Sequence, residues 1–189
     1  MIILGGDIST HFGVAIVDCS EFNKPQVLMS EEIKYHYKLK GEARNQAILD
    51  RLAEIIEEHK PEEACLEGYA INSRRLGGNI PLIELGGLSK YLLHLYGVPR
   101  TIVSPTALKL FATGHGDADK QAIMDMLLEQ RGIKVVNDNE ADAINAALFL
   151  ACLKAKLLVP SEQMEAIHNF LNPPKKKPKK RKKAIDKAA

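Results

Sequence analysis

The chain has 189 residues, of which 46% are hydrophobic and 26% are charged, and its net charge is +2. These values are typical of a globular protein with one substantial core, and the first apolar run, MIIL, is too short for a signal peptide or a membrane span. Three scattered cysteines without metal-ligand spacing predict free core thiols in a reducing compartment, and therefore a cytoplasmic protein. We expect no membrane partner.

The N-terminal part predicts three strands and a helix. The runs MIILGGDIS and HFGVAIVDCS are apolar and rich in β-branched residues, and the short turn between them predicts a β-hairpin. QVLMSEEIKYHYKL alternates loosely and predicts a third strand. In GEARNQAILDRLAEIIEEHK the apolar residues recur at helical spacing, which predicts an amphipathic helix.

The remainder alternates between strands and helices. EEACLEGYAI and RTIVSP predict short strands, whereas IPLIELGGLSKYLLHLYG, DKQAIMDMLLEQRG and NEADAINAALFLACLKAK predict helices. This order predicts an α/β fold with a mixed sheet flanked by helices. We expect one domain over residues 1–160, a C-terminal extension over residues 161–172 and a tail over residues 173–189.

The predicted tail carries most of the positive charge. Residues 173–189 contain nine Lys or Arg and one Asp, a net charge of +8, so the other 172 residues carry −6. Prolines and a run of like charges predict that this polybasic tail is disordered. Nucleic acid binding through counterion release is the favoured role, and a nuclear localisation signal or an anionic-lipid contact are the alternatives.

Acidic residues stand at strand or helix ends in three separate segments. Asp7 ends the first strand, Glu67 lies in an otherwise apolar strand, and Asp142 lies one turn into the last helix with Asp138 at i−4 on the same face. Clustered acids repel one another unless a hard cation neutralises them, and two such ions can activate a water against a phosphodiester. The structural alternatives are a turn residue, an edge-strand salt bridge, and helix-capping acids at Asp138 and Glu140.

The order of these segments resembles the RuvC family of Holliday junction resolvases, within the RNase H-like superfamily. ILGGDISTHFGVAIVD resembles the family's opening strand–turn–strand, ACLEGYAIN its second acidic strand and NEADAINAAL its closing acidic helix. ELGGLSKYLLHLYGVP and VSPTALKLFATGHGDADKQAIMDMLLEQRG resemble the segments between them. The resemblance implies an RNase H-like mixed β-sheet, a homodimer, and a metal-dependent endonuclease that resolves four-way DNA junctions by symmetric paired nicks.

The resemblance also implies a catalytic metal site. Three of the family's four metal-binding acids match this chain: Asp7, Glu67 and Asp142. We expect two Mg²⁺ ions, replaceable by Mn²⁺, and a product with a 5′-phosphate. The fourth acid is expected to be Asp138, four residues before Asp142, because Asn139 stands where many relatives have an acid or a histidine. Glu140 is the second choice.

DNA contacts are expected around these acids. Hydroxyl groups after the first acid can donate hydrogen bonds to a phosphate, two lysines match family positions on the DNA side, and the loop over residues 69–79 combines arginines, glycines and a tyrosine that can act as a wedge. Ordinary turn residues, solvated lysines and a core tyrosine are the alternatives. The expected DNA-binding residues are Ser9, Thr10, Tyr69, Arg74, Arg75, Lys109 and Lys120.

Other functions are compatible with parts of the pattern. A less selective nuclease for branched DNA, forks or flaps would suit viral replication or packaging, and a phage-encoded protein would act in the bacterial host cytosol. GGDISTHFG also resembles the first phosphate loop of actin-like phosphotransferases, although a second loop of that kind is missing from the sequence. A catalytically silent DNA-binding relative is disfavoured because three acids are retained.

Overall fold

Five strands and six helices form within the residues that the computed structural model describes, which are 1–9, 11–35, 38–68 and 76–173. The strands are β1 (Ile2–Asp7), β2 (Gly13–Asp18), β3 (Gln26–Glu32), β4 (Glu63–Glu67) and β5 (Arg100–Val103). The helices are α1 (Gly41–His59), α2 (Leu76–Leu95), α3 (Pro105–Thr113), α4 (Lys120–Arg131), α5 (Asp138–Leu153) and α6 (Ser161–Leu171).

The strands form one mixed sheet in the order β3-β2-β1-β4-β5. The pairs β1–β2 and β2–β3 are antiparallel, whereas β4 is parallel to both β1 and β5. Alternate residues of β1 enter different cores: Ile3 packs with α3–α6, and Leu4 packs with α1 and α2. Because both faces of the central strands are covered, the middle residues of these strands are apolar, and charged residues stand only at strand ends. The predicted mixed sheet flanked by helices is confirmed.

Two helices were not predicted from the sequence. Ser104 caps α3 by accepting a hydrogen bond from the Ala107 N–H, and Gly114 ends the helix with φ +77°. The second, α6, occupies the predicted C-terminal extension and packs Phe170 edge-to-face against Phe149 of α5. The third strand ends at Glu32, earlier than expected. The domain boundary at residue 160 stays a prediction, and the polybasic tail lies outside the described residues from residue 174 onward.

The predicted state of the cysteines is confirmed. Cys19, Cys65 and Cys152 are all buried and unpaired. Separately, no helix in the described ranges is both long and apolar enough to cross a membrane.

Helix α5 lies unusually close to β1 and β2 because two glycines face it. A Cβ atom added at Gly5 would overlap the carbonyl oxygen of Ala143, and one added at Gly13 would overlap the carbonyl oxygen of Asn139. Both neighbours are backbone atoms of the helix, so they have little freedom to move aside. The contact fixes the height and the rotation of the first two turns of α5 above the sheet.

We expect Gly13→Ala to lower the free energy of unfolding by at least about 2 kcal/mol, because overpacking against the backbone forces the helix away from the sheet. The control is Gln46→Ala in α1: the Gln46 side chain is exposed, and the change in helix propensity is at most about 0.5 kcal/mol. Urea denaturation of both variants measures the difference. Equal stabilities would contradict the close approach.

Candidate active site

Three acids predicted from the sequence meet at one edge of the sheet. Asp7 ends β1 and Glu67 ends β4, and the parallel register of these strands makes the two residues neighbours. Asp142 lies one turn into α5, whose first turn rests on Gly13, the residue paired with Asp7 across β1 and β2. The sheet register and the glycine contact therefore bring together side chains that lie 135 positions apart in the chain.

The three acids line a shared cavity of about 240 Å³. Two lysines reach the same space: Lys109 from α3 and Lys120 from the first position of α4. The cavity therefore combines carboxylates with ammonium groups, as a site for a phosphate and a cation requires. The other lining residues are Ser9, Pro105, Leu108 and Asn139.

The carboxyl groups in this cavity resist ionisation. Burial and the nearby charge of Asp142 raise the pKa of Asp7 to about 7. Burial and the charges of Asp7 and Asp142 raise the pKa of Glu67 to about 8. Burial also raises the pKa of Asp142 to about 6, although the Lys120 ammonium opposes this rise. Near neutral pH the cluster therefore retains protons for which a cation would compete.

Asp138, the expected fourth acid, pairs with Lys120 instead of lining the cavity. Its Oδ2 accepts a hydrogen bond from the Lys120 Nζ, and this bond lowers the pKa of Asp138 and raises that of Lys120. Lys120 itself lines the cavity. Asp138 is thus placed to hold the ammonium group of Lys120 at the site.

Glu140, the second choice, is turned away from the other acids. The Asn137 side chain caps α5 by accepting from the Glu140 N–H at 2.9 Å, and its Nδ2 donates to the Glu140 Oε1 at 2.9 Å. The Ser30 hydroxyl of β3 donates to the Glu140 Oε2 at 2.8 Å. Both carboxylate oxygens are therefore engaged in a helix cap and a contact with the sheet, as one structural alternative proposed.

Asn139 occupies the position between these two acids and does line the cavity. Its Nδ2 donates to the Glu32 Oε2 of β3 at 2.9 Å. No donor contacts its Oδ1 within the part of the chain that the structure describes, so this oxygen is available to a ligand. The involvement of Glu32 was not predicted, since its contact spans 107 residues and no sequence pattern signals it.

Three of the seven expected DNA-binding residues line the cavity, and the other four lie outside the described residues. Lys109, Lys120 and Ser9 line the cavity, and Ser9 Oγ accepts the His11 N–H at 3.0 Å, which leaves the hydroxyl hydrogen available as a donor. The remaining four, Thr10, Tyr69, Arg74 and Arg75, lie outside the described residues.

No preassembled metal site is present in the described ranges, since no three or more His, Cys, Asp and Glu side chains are grouped closely enough to hold an ion. The acids surround the cavity without closing on one point.

No protein-family model matches the chain. The crossover junction endodeoxyribonuclease RuvC of Rickettsia prowazekii is 32% identical over 162 residues, which cover 82% of this chain and 99% of the relative. The RuvC enzyme of Gloeobacter violaceus is 29% identical over 151 residues, which cover 78% of this chain and 86% of the relative.

Solved structures share the fold. Thermus thermophilus RuvC in complex with a Holliday junction substrate superposes with a TM-score of 0.70 at 24% identity, covering 82% of this chain and 97% of that one. The yeast mitochondrial Holliday junction resolvase gives a TM-score of 0.56 at 13% identity, covering 90% of this chain and 81% of that one. On the identity and coverage of its sequence relatives, the chain belongs to the RuvC family of crossover junction endodeoxyribonucleases.

Proposed function

We propose that this protein is a structure-selective endonuclease that resolves four-way DNA junctions. The observation that carries the proposal is the convergence of Asp7, Glu67 and Asp142 with two lysines in one cavity, in a chain whose relatives are named crossover junction endodeoxyribonucleases. Family membership argues against the actin-like phosphotransferase alternative, and the retained acids argue against a silent DNA-binding relative.

The proposed cofactor is Mg²⁺, two ions per site, with Mn²⁺ as a substitute. The donor set fits, because three carboxyl groups supply hard oxygen ligands. Burial, and after it the charge of neighbouring carboxylates, raises their pKa values, and a bound cation would favour their ionised form. Asp7, Glu67 and Asp142 would hold the ions. When bound, such ions lower the pKa of the attacking water and stabilise the departing 3′-oxygen.

The lysines and Ser9 are proposed to position the scissile phosphate. Lys109 and Lys120 bring positive charge to the cavity, where it stabilises the negative charge that grows on the phosphate during hydrolysis. Asp138 acts as a positioning residue, because its carboxylate holds the Lys120 ammonium. The Ser9 hydroxyl can donate to a non-bridging oxygen. The product would carry a 5′-phosphate and a 3′-hydroxyl.

For the fourth ligand we propose Asn139 Oδ1 in place of Asp138. Asn139 lines the cavity, and its bond to Glu32 fixes the amide with the nitrogen directed away from the carboxyl cluster. The carboxylate of Asp138 is engaged by Lys120. A neutral amide oxygen in this position would give the site one negative charge fewer than an acid there would.

A homodimer would supply the two active sites that paired nicks require. Helix α2 supports this proposal, because one of its faces exposes a row of large apolar side chains that can be buried against a second copy. These residues are Ile80, Ile83, Leu88, Tyr91 and Leu95.

The decisive test of function is a nicking assay with Mg²⁺ on labelled four-way, three-way, flap and linear duplex DNA. We expect paired, symmetric nicks on the four-way junction with ligatable ends. Comparable cutting of flaps and forks would instead favour the less selective nuclease. Asp7→Asn and Glu67→Gln should abolish cutting while junction binding survives.

The raised pKa values predict how stability depends on pH. An acid whose pKa is raised on folding stabilises the folded state below its unfolded pKa near 4, and this contribution is lost as pH rises through the folded values of about 6 to 8. In chelator at pH 8, Asp7→Asn should therefore increase the free energy of unfolding by roughly 1–3 kcal/mol.

This gain should shrink toward zero as the pH approaches 4, and the control Asp50→Asn, an exposed acid of α1, should show no comparable trend. Thermal unfolding from pH 4 to 8 provides the measurement. Destabilisation by Asp7→Asn at pH 8 would mean that this acid is structural.

Metal binding tests the proposed fourth ligand. We expect Asn139→Asp to tighten Mn²⁺ binding by about tenfold, because it adds a charged oxygen to the set, and Asn139→Ala to weaken it. Asp138→Asn should change Mn²⁺ affinity little while lowering kcat through Lys120. Isothermal titration with Mn²⁺ measures the affinities. If Asp138→Asn weakens Mn²⁺ binding and Asn139→Ala leaves it unchanged, Asp138 is the fourth ligand and Asn139 is not.

A further inference from the structure

A second cavity of about 710 Å³ lies beside the active site. Three of its lining residues are cations that come from the end of β3 and the start of α1: Lys34, Lys40 and Arg44. Its apolar lining includes Ile33, Leu39 and Pro81. We call this feature the basic groove. None of the roles assigned above uses it.

The basic groove has an excess of positive charge, because its lining includes three cations and one carboxylate, Glu32. In the described part of the chain, no carboxylate forms an ion pair with Lys34, Lys40 or Arg44. The Arg44 guanidinium instead donates from Nε and Nη2 to the neutral amide oxygen of Asn45, at 3.3 and 2.9 Å, and Asn45 is buried. Arg44 is therefore held in place with its charge intact, in a body whose first 172 residues carry a net charge of −6.

Two hydrogen bonds link the lining of the basic groove to the lining of the active-site cavity. Glu32 lines the groove and accepts the hydrogen bond from Asn139, which lines the active-site cavity. His11 lines the groove, and its backbone N–H donates to Ser9 of the active-site cavity. A polymer bound at one cavity is therefore within reach of the other.

We propose that the basic groove binds backbone phosphates of the DNA strand that flanks the scissile phosphodiester. This inference rests on the proposed function. Cations that form no ion pair can neutralise phosphates and release counterions, and the apolar lining offers surface to the deoxyribose rings. Such contacts carry no sequence information, so they suit an enzyme that selects DNA by its branched shape.

The test compares two double variants of the full chain that remove the same charge. Lys34→Gln with Arg44→Gln alters the basic groove. Lys60→Gln with Lys156→Gln is the control and alters two exposed lysines near the opposite end of the sheet. Lys60 follows α1, and the Lys156 carbonyl accepts a hydrogen bond from the Asn23 N–H. Anisotropy with a labelled four-way junction, in chelator over a series of salt concentrations, gives the affinity and its salt dependence. The polybasic tail is present in both variants, so its contribution to the salt dependence cancels in the comparison.

We expect the groove variant to make the slope of log affinity against log salt shallower by about 1.8, at about 0.9 per phosphate, and to weaken binding at 0.1 M salt by roughly tenfold or more. Each single substitution should give about half the change in slope, so the result does not depend on the double variant folding. The control variant should leave the slope nearly unchanged.

Equal slopes for the groove and control variants, with the unaltered chain binding and nicking the junction, would overturn the groove and leave the proposed function standing. Failure of the unaltered chain to bind the junction would overturn both. A shallower slope in the groove variant on the junction, with its symmetric nicks preserved at saturating protein, would support both.

Discussion

The site depends on one steric constraint, the close approach of α5 to β1 and β2 at Gly5 and Gly13. Helices normally stand off a sheet by the thickness of the side chains between them, and here a carbonyl oxygen of the helix occupies the space of a missing Cβ. The approach lowers the start of α5 onto the strand end that carries Asp7, so that Asp142 reaches the same cavity. Without it, Asp7 and Glu67 would still be neighbours through the parallel register of β1 and β4, but Asp142 would not reach them.

Bringing these acids together is electrostatically unfavourable. Four consecutive residues at the start of α5, 137–140, make the contacts that hold the helix and the neighbouring charges in place. Asn137 and Glu140 cap the helix and attach it to β3. Asp138 takes the ammonium of Lys120, and Asn139 contacts Glu32. The remaining carboxylates keep raised pKa values because burial and mutual repulsion are only partly offset by the two lysines. Such a cluster is poorly stable alone and well suited to a divalent cation.

Much of this was predictable because the signals were local. The apolar runs of the central strands, the periodicity of α1 and the acids at the ends of β1 and β4 are all visible in the sequence. The capping signals of α3 were present too, at Ser104, Pro105 and Gly114, but a nine-residue helix gives little periodicity. The partners of Asp138 and Asn139 were not predictable, since helical spacing describes which face a residue occupies and not which side chain from another element meets it. The basic groove was not predictable for the same reason, because its lining residues come from separate segments of the chain.

Proton release on metal binding shows whether buried, partly protonated carboxyl groups form the metal site. Mn²⁺ titrated calorimetrically in two buffers of different ionisation enthalpy gives the number of protons displaced. With pKa values of about 7 for Asp7 and about 8 for Glu67, binding near pH 7 should release about one proton or more, and the number should fall toward zero by about pH 9. Binding without proton release at pH 7, or release that persists unchanged in Asp7→Asn with Glu67→Gln, would mean that these carboxyl groups do not form the metal site.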